Sequence, residues 1–389
     1  MPKPDFGWIF AQCLKIIPRV FVALFLGFLI YRYLYYPDLF YASDFSHYWV
    51  AARLAGAGDP TAVYDFSRLQ AFGQAVAGIK IAIPWFNTPT FLMLLLPFSL
   101  VPYHASLFVW IMSTLGGYLL IIRRLAPHPQ FTWLALAFPS TLLNISYGQN
   151  GFLSVIFLGG GLVLLERVPI AAGFFLGLMT YKPHFALLIP IALAAGRRWQ
   201  ALAAMLVTSA GLIGASALLF GIDVWGTFFQ KIAVMLGGLE GGQISAATVL
   251  PLEKMPTVFS VIKGLGADTL TAAIIQAICG LVTGAMVAWV WHAKASPAIS
   301  AAVLVLGAFL VTPYAFVYDN ILIAMALACL GWEGYTKGWL PGEKICLTLA
   351  WIAPVYLSFF HCRLLLVPIV LLFITALRRM RSADLVPCR

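Results

Sequence analysis

Apolar runs of membrane-crossing length recur from one end of this chain to the other. A helix needs about 20 mostly apolar residues to cross the hydrocarbon of a bilayer. Inside that layer each backbone polar group must be satisfied internally, which helices achieve within one segment. The runs lie at about 90–122, 131–147, 151–165, 169–195, 200–220, 271–292, 298–317, 320–334, 345–360 and 363–377. Of the 389 residues, 62% are apolar and only 10% are Asp, Glu, Lys or Arg, and the mean hydropathy is +0.94. A soluble domain carries about 25% charged residues, so soluble enzyme folds are excluded. The pattern predicts an all-α polytopic membrane protein.

Lys3, Lys15 and Arg19 precede an apolar stretch that runs to Ile30 and closes in Tyr31-Arg32-Tyr33 and Tyr35-Tyr36. A signal peptide has a shorter apolar core and a small-residue cleavage site. The stretch therefore reads as an uncleaved first helix, with its positive flank in the cytoplasm. The next segment, 37–89, is polar and turn-rich and reads as the first extracytoplasmic loop. Within it 45–56 and 65–78 have amphipathic helical spacing and are expected to lie along the membrane surface.

The basic clusters Arg123-Arg124, Arg197-Arg198 and Arg378-Arg379 with Arg381 set the orientation. All fall inside if 90–122 is one net crossing, re-entrant or kinked near Pro97 and Pro102, and if 169–195 is two short crossings broken at Tyr181-Lys182-Pro183-His184. Four turns then share the outer face with 37–89: 147–150, 181–184, 221–270 and 312–320. The walk predicts about twelve crossings and one domain over 1–389. The net charge of +10 is explained by these turns and does not argue for nucleic acid. The six cysteines form no Cys-x-x-Cys pair and read as small membrane-embedded hydrophobes.

Ionisable groups near a membrane are costly and therefore informative. Glu166, Glu333 and Glu343 sit beside basic residues and read as solvated loop charges. Asp44, shortly after the first helix, has two readings: with Ser43 a helix cap, or a general base for an incoming hydroxyl. Lys182 lies at a proline-broken point between apolar runs, as a snorkelling lysine or as a phosphate ligand with His184 as a second donor. Asn144, Gln149 and Asn150 put amides at one helix junction, either to satisfy the broken backbone or to bind sugar hydroxyls. Tyr318 and Asp319 after Pro313 carry the same pair of readings. No phosphate-binding glycine loop, dinucleotide fingerprint, His-Glu-x-x-His or Asp-x-Asp element is present.

Taken together, several of these elements resemble glycosyltransferase family 87, multi-spanning enzymes of the GT-C superfamily. The most specific is Ser43-Asp44-Phe45-Ser46-His47-Tyr48-Trp49-Val50-Ala51-Ala52, continuing through Gly58-Asp59-Pro60 to Val63-Tyr64-Asp65. Then come Phe86-Asn87-Thr88-Pro89, Leu95-Leu96-Pro97, Val101-Pro102, Asn144 with Gly148-Gln149-Asn150, and Tyr181-Lys182-Pro183. The order of elements fits over about residues 40–320. In the late outer loop, where family members often carry His or Trp near a Ser-Pro or Thr-Pro, this chain has Thr312-Pro313-Tyr314-Ala315-Phe316-Val317-Tyr318-Asp319.

The resemblance implies a GT-C-type bundle in the bacterial cytoplasmic membrane, with an extracytoplasmic site. It also implies a polyprenyl-phosphate-linked sugar donor, typically mannose, and a lipid or glycan acceptor. The family's catalytic Asp maps onto Asp44 and its Lys-Pro element onto Lys182. The matching motifs add His47, Tyr48, Asn87 and Tyr181 to Asn144, Gln149, Asn150, Tyr318 and Asp319 as candidates for sugar or acceptor binding. Asp44 is the one candidate catalytic carboxylate of the signature and no second one is obviously paired with it, which predicts inversion. No cofactor or metal is expected, although a divalent ion bridging the phosphate is compatible with the chemistry. The rival class is a secondary transporter or flippase of a lipid-linked sugar, which would share many spans and broken helices. The large outer segment, the clustering of polar motifs on one face and the lack of an internal repeat weigh against it.

Overall fold

A computed structural model describes residues 6–35, 44–81, 84–237 and 252–383. Lys3 and Ser43, which entered the expectations above, lie outside the described residues. Among those described there are helices and no strands. The chain opens with α1 (Phe6–Tyr35), α2 (Asp44–Gly56) and α3 (Phe66–Ala77). Asp65 caps α3, accepting from the backbone N–H groups of Ser67 and Arg68 at 2.9 and 3.2 Å.

Proline then divides the apolar sequence into helices. It suits the first turn, where its missing N–H is no loss, and it turns the residue before it away from the helical region. The 90–122 run breaks before Tyr103 into α4 (Pro89–Ser99) and α5 (Tyr103–Leu125), at Pro102, while Pro97 lies inside α4. The 131–147 run is two helices, α6 (Pro129–Leu136) and α7 (Pro139–Tyr147), followed by α8 (Gly151–Leu164). The 169–195 run becomes α9 (Pro169–Gly177), a 3-10 turn over Leu178–Tyr181, α10 (Pro183–Ala186) and α11 (Ile189–Ala195). The remainder is α12 (Trp199–Phe220), α13 (Asp223–Gly237), α14 (Val258–Gly264), α15 (Thr269–His292), α16 (Pro297–Val311), α17 (Ile321–Lys337), α18 (Glu343–Phe360) and α19 (Leu366–Ala383). By length and composition α5, α12 and α15 can each cross a membrane unaided, and much of the other apolar sequence lies in shorter helices.

The centre is α16 and α17, whose side chains are buried along nearly their whole length. Small residues let helices approach: a Cβ on Gly173 of α9 would lie 2.3 Å from the Ala201 carbonyl oxygen of α12. Two expectations are corrected here. α2 is not a surface helix, because Phe45 through Ala52, Leu54 and Ala55 are all buried against α4, α5 and their neighbours. Its short amphipathic pattern marked a helix inserted into protein, whereas α3 buries only Leu69 and Gly73 and keeps the expected two-faced character. Glu343 and Glu333 are also not solvated. Glu343 is buried in a two-pronged ion pair with Arg379, and Glu333 takes hydrogen bonds from Ser296 and Lys337.

Contacts gather the turns into two ends. At one, Arg198 pairs with Glu166, Gly196 packs on Trp291, and the Arg381 guanidinium sits 6.0 Å from the Trp289 ring. Arg379 also donates to the Gly338 carbonyl at 2.8 Å, and His128 packs on Tyr335 at 5.2 Å. The basic clusters that these residues belong to therefore sit together. The other end gathers the start of α2, the α7–α8 junction, 181–184, the 252–257 segment and 312–320.

Candidate active site

The second end holds most of the candidate side chains. Asp44 is the first residue of α2, half-buried, with its Oδ2 accepting a hydrogen bond from Gln149 Nε2. On its other side, Gln149 Oε1 accepts from the Tyr48 hydroxyl at 2.6 Å. Burial raises the Asp44 carboxyl above its ordinary value, opposed by the Gln149 hydrogen bond and the positive charge of Lys254. The Asp44 carboxylate faces a partner 105 residues away.

The wall behind α2 is aromatic. Tyr48 meets Trp85, Phe91 and Trp110 edge-on, with centroids at 6.2, 5.1 and 6.2 Å. His47 meets Trp85 edge-on at 5.2 Å, and both its Nε2 and Trp85 Nε1 are buried without a hydrogen-bond partner. Burial alone lowers the His47 pKa to about 4, so the ring is neutral at pH 7.

Opposite stands a buried ion pair, Lys182 Nζ to Asp319 Oδ1 at 2.5 Å. Asp319 Oδ2 accepts from the Phe316 N–H at 2.9 Å, which closes the turn before α17. The Lys182 ammonium also lies over the Tyr181 and Tyr318 rings at 5.8 and 5.5 Å. His184 packs edge-on against Tyr314 at 5.2 Å, and its Nε2 is buried and unpartnered.

Other candidates turn out to hold the backbone. Asn144 donates to the Ser140 and Tyr318 carbonyls at 2.7 and 2.9 Å and accepts from the Gly151 N–H at 3.0 Å. Its amide bridges the α7–α8 break and the turn before α17. The Tyr181 hydroxyl is likewise engaged, with Ser154 at 2.5 Å and the Asn150 carbonyl at 3.1 Å. Asn150 leaves its side-chain Oδ1 buried and unpartnered. Asn87 contributes its carbonyl, which accepts from Tyr64 at 2.9 Å. Tyr318 stacks on Phe316 at 5.4 Å and 22°.

Sequence reasoning missed Trp85, Tyr314 and the segment carrying Lys254. Met255 packs against Phe86, Tyr314 and Phe316, and the charge of the neighbouring Lys254 reaches Asp44. Trp85 and Tyr314 adjoin motifs already singled out, and their aromatic character beside Asn87 and Pro313 was the available signal. Nothing local in the sequence marks Lys254. Among the described residues no three of His, Cys, Asp and Glu come together in a way that would hold a metal ion.

The arrangement places a half-exposed carboxylate, an ammonium, unpartnered ring and amide atoms and an aromatic wall at one end of an apolar bundle. A family model for glycosyltransferase family 87 matches residues 85–313, more than half of the chain. Comparison with curated proteins and with solved structures gave no match.

Proposed function

The chain belongs to glycosyltransferase family 87, and we propose that it moves a sugar, mannose in the first instance, from a polyprenyl-phosphate donor to a hydroxyl of a lipid or glycan acceptor. Asp44 acts as the general base on the extracytoplasmic face, and the anomeric centre inverts. The acceptor hydroxyl attacks the anomeric carbon as the bond from that carbon to the phosphate oxygen breaks. The electron pair of that bond leaves with polyprenyl phosphate, and the hydroxyl proton passes to Asp44. A base is most useful when its pKa approaches the working pH, and burial pushes Asp44 in that direction.

Lys182 holds the donor phosphate, with His184 beside it. Asp319 serves as the counter-ion of Lys182 until the phosphate takes that place, because an ammonium buried this deeply is costly without a partner. We assign His47, Asn150, Tyr318 and Asp319 to sugar and acceptor binding, for which the unpartnered atoms of His47 and Asn150 are suited.

The observation that carries this reading is the pairing of a half-exposed Asp44 with a lysine-bearing turn at the same end of the bundle. The test is transfer by the purified protein in detergent, using a synthetic polyprenyl-phosphate mannose and membrane lipid extract. Transfer needs no sealed compartment and transport does. Labelled product in detergent supports the reading, whereas substrate movement only in sealed vesicles, with no product, would assign the chain to transport.

A further inference from the structure

Asp44 is held by something more specific than burial. The chain passes from α7 to α8 through Gly148, in the left-handed conformation (φ 63°), and then Gln149. Left-handed backbone favours glycine, and here space demands it as well: a Cβ on Gly148 would lie 2.6 Å from the Phe45 Cβ. The Gly148 carbonyl accepts from Trp110 Nε1 at 3.0 Å, and the Phe45 ring packs on Trp110 at 5.6 Å. The turn is thus clamped onto the first residues of α2, and the next side chain, Gln149, lies between Asp44 and Tyr48.

The chemistry of the three groups then fixes the amide. An ionised carboxylate only accepts hydrogen bonds, so Gln149 must turn its NH2 toward Asp44. Its carbonyl oxygen is left to face Tyr48, whose hydroxyl is buried and kept protonated, and so donates. Reversing the amide would set oxygen against carboxylate and take from the buried Tyr48 proton its acceptor. We propose that Gln149 is a positioning residue: oriented by Tyr48 on a turn clamped to α2, it aims Asp44 at the acceptor and favours its ionised form. This deepens the reading of Asp44 as the base and replaces sugar binding as the role of Gln149 and Tyr48.

The test is the pH–rate profile of sugar transfer by Gln149→Leu, Tyr48→Phe and the double variant, purified in detergent, with the donor and acceptor KM measured separately. Gln149→Leu should lower kcat by about 10²-fold and move the acid limb to higher pH, as one hydrogen bond to the carboxylate is lost. Tyr48→Phe, which frees the amide to turn, should lose less. The double variant should be no worse than Gln149→Leu alone, since Tyr48 acts through Gln149. Should Gln149→Leu fail to fold, Gln149→Asn keeps the amide but is too short to bridge both partners, and the same outcomes apply to it. An acid limb at the wild-type position, or an effect confined to KM as a sugar contact would give, overturns the proposal. These failures are distinct from failure of the base assignment, which is decided by Asp44→Asn.

Discussion

Lys182 and Asp319, 137 residues apart in the chain, meet in an ion pair of 2.5 Å with both side chains almost wholly buried. Asp319 is held in turn by the Phe316 N–H, and Lys182 lies between two tyrosine rings. The pair carries no net charge at rest. Its ammonium becomes available to a phosphate only by exchanging one anion for another.

Breaking such a pair from one side leaves a buried charge uncompensated, at about 3–5 kcal/mol. Lys182→Met and Asp319→Leu should each lower the melting temperature in detergent, and the double variant should recover most of that loss. The double variant should still fail to bind donor. Donor affinity equal to wild type in the stable double variant would remove Lys182 from phosphate binding.

Asn caps a helix about as well as Asp but takes no proton. Asp44→Asn should therefore fold, bind donor and lose about 10²–10⁴ in transfer rate. Because burial raises the Asp44 carboxyl, the wild-type rate should fall on acidification at a pH above that of an ordinary carboxylate near 4. Near-normal transfer by Asp44→Asn would sink the mechanism.

His47 gives a stability test with a definite sign. Its folded pKa is lowered to about 4 from an ordinary 6.5, so between these values the unfolded chain binds more protons than the folded one. Stability from His47 is complete above 6.5 and is lost as the pH falls toward 4. The difference in melting temperature between wild type and His47→Gln should change across that window. Parallel curves would show that the ring is not held neutral.

The orientation read from the basic clusters can be checked by labelling. In intact cells a membrane-impermeant thiol reagent should reach Ser67→Cys, exposed on α3, and should not reach Ala293→Cys, exposed after α15. The wild-type chain gives the background. Labelling with the opposite preference would invert the assignment.

Much of this was legible along the chain because the signals are local. Scarce charge and recurring apolar runs marked a membrane protein, and Pro102 and Pro183 marked two of its helix breaks. Asp44, Lys182 and Asp319 stood out because a charge near apolar sequence must be there for a reason. α2 was misread because thirteen residues of mixed polarity have the same spacing whether they face lipid headgroups or protein. Glu343 looked solvated beside Lys344, while its partner Arg379 lay 36 residues on.

Composition and periodicity alone determined the class of this protein, its helical character and the breaks at Pro102 and Pro183, since each depends on residues near one another. Only the tertiary structure decided which polar atom meets which: Tyr48 with Gln149 across 101 residues, Gln149 with Asp44 across 105, and Asn144 with the Tyr318 carbonyl across 174. The reason is physical. A polar group in an apolar bundle must find a partner, so the sequence shows that a partner exists. Helix packing sets which groups come within reach, and therefore whether an amide such as Asn144 mends a broken backbone or one such as Gln149 grips a carboxylate.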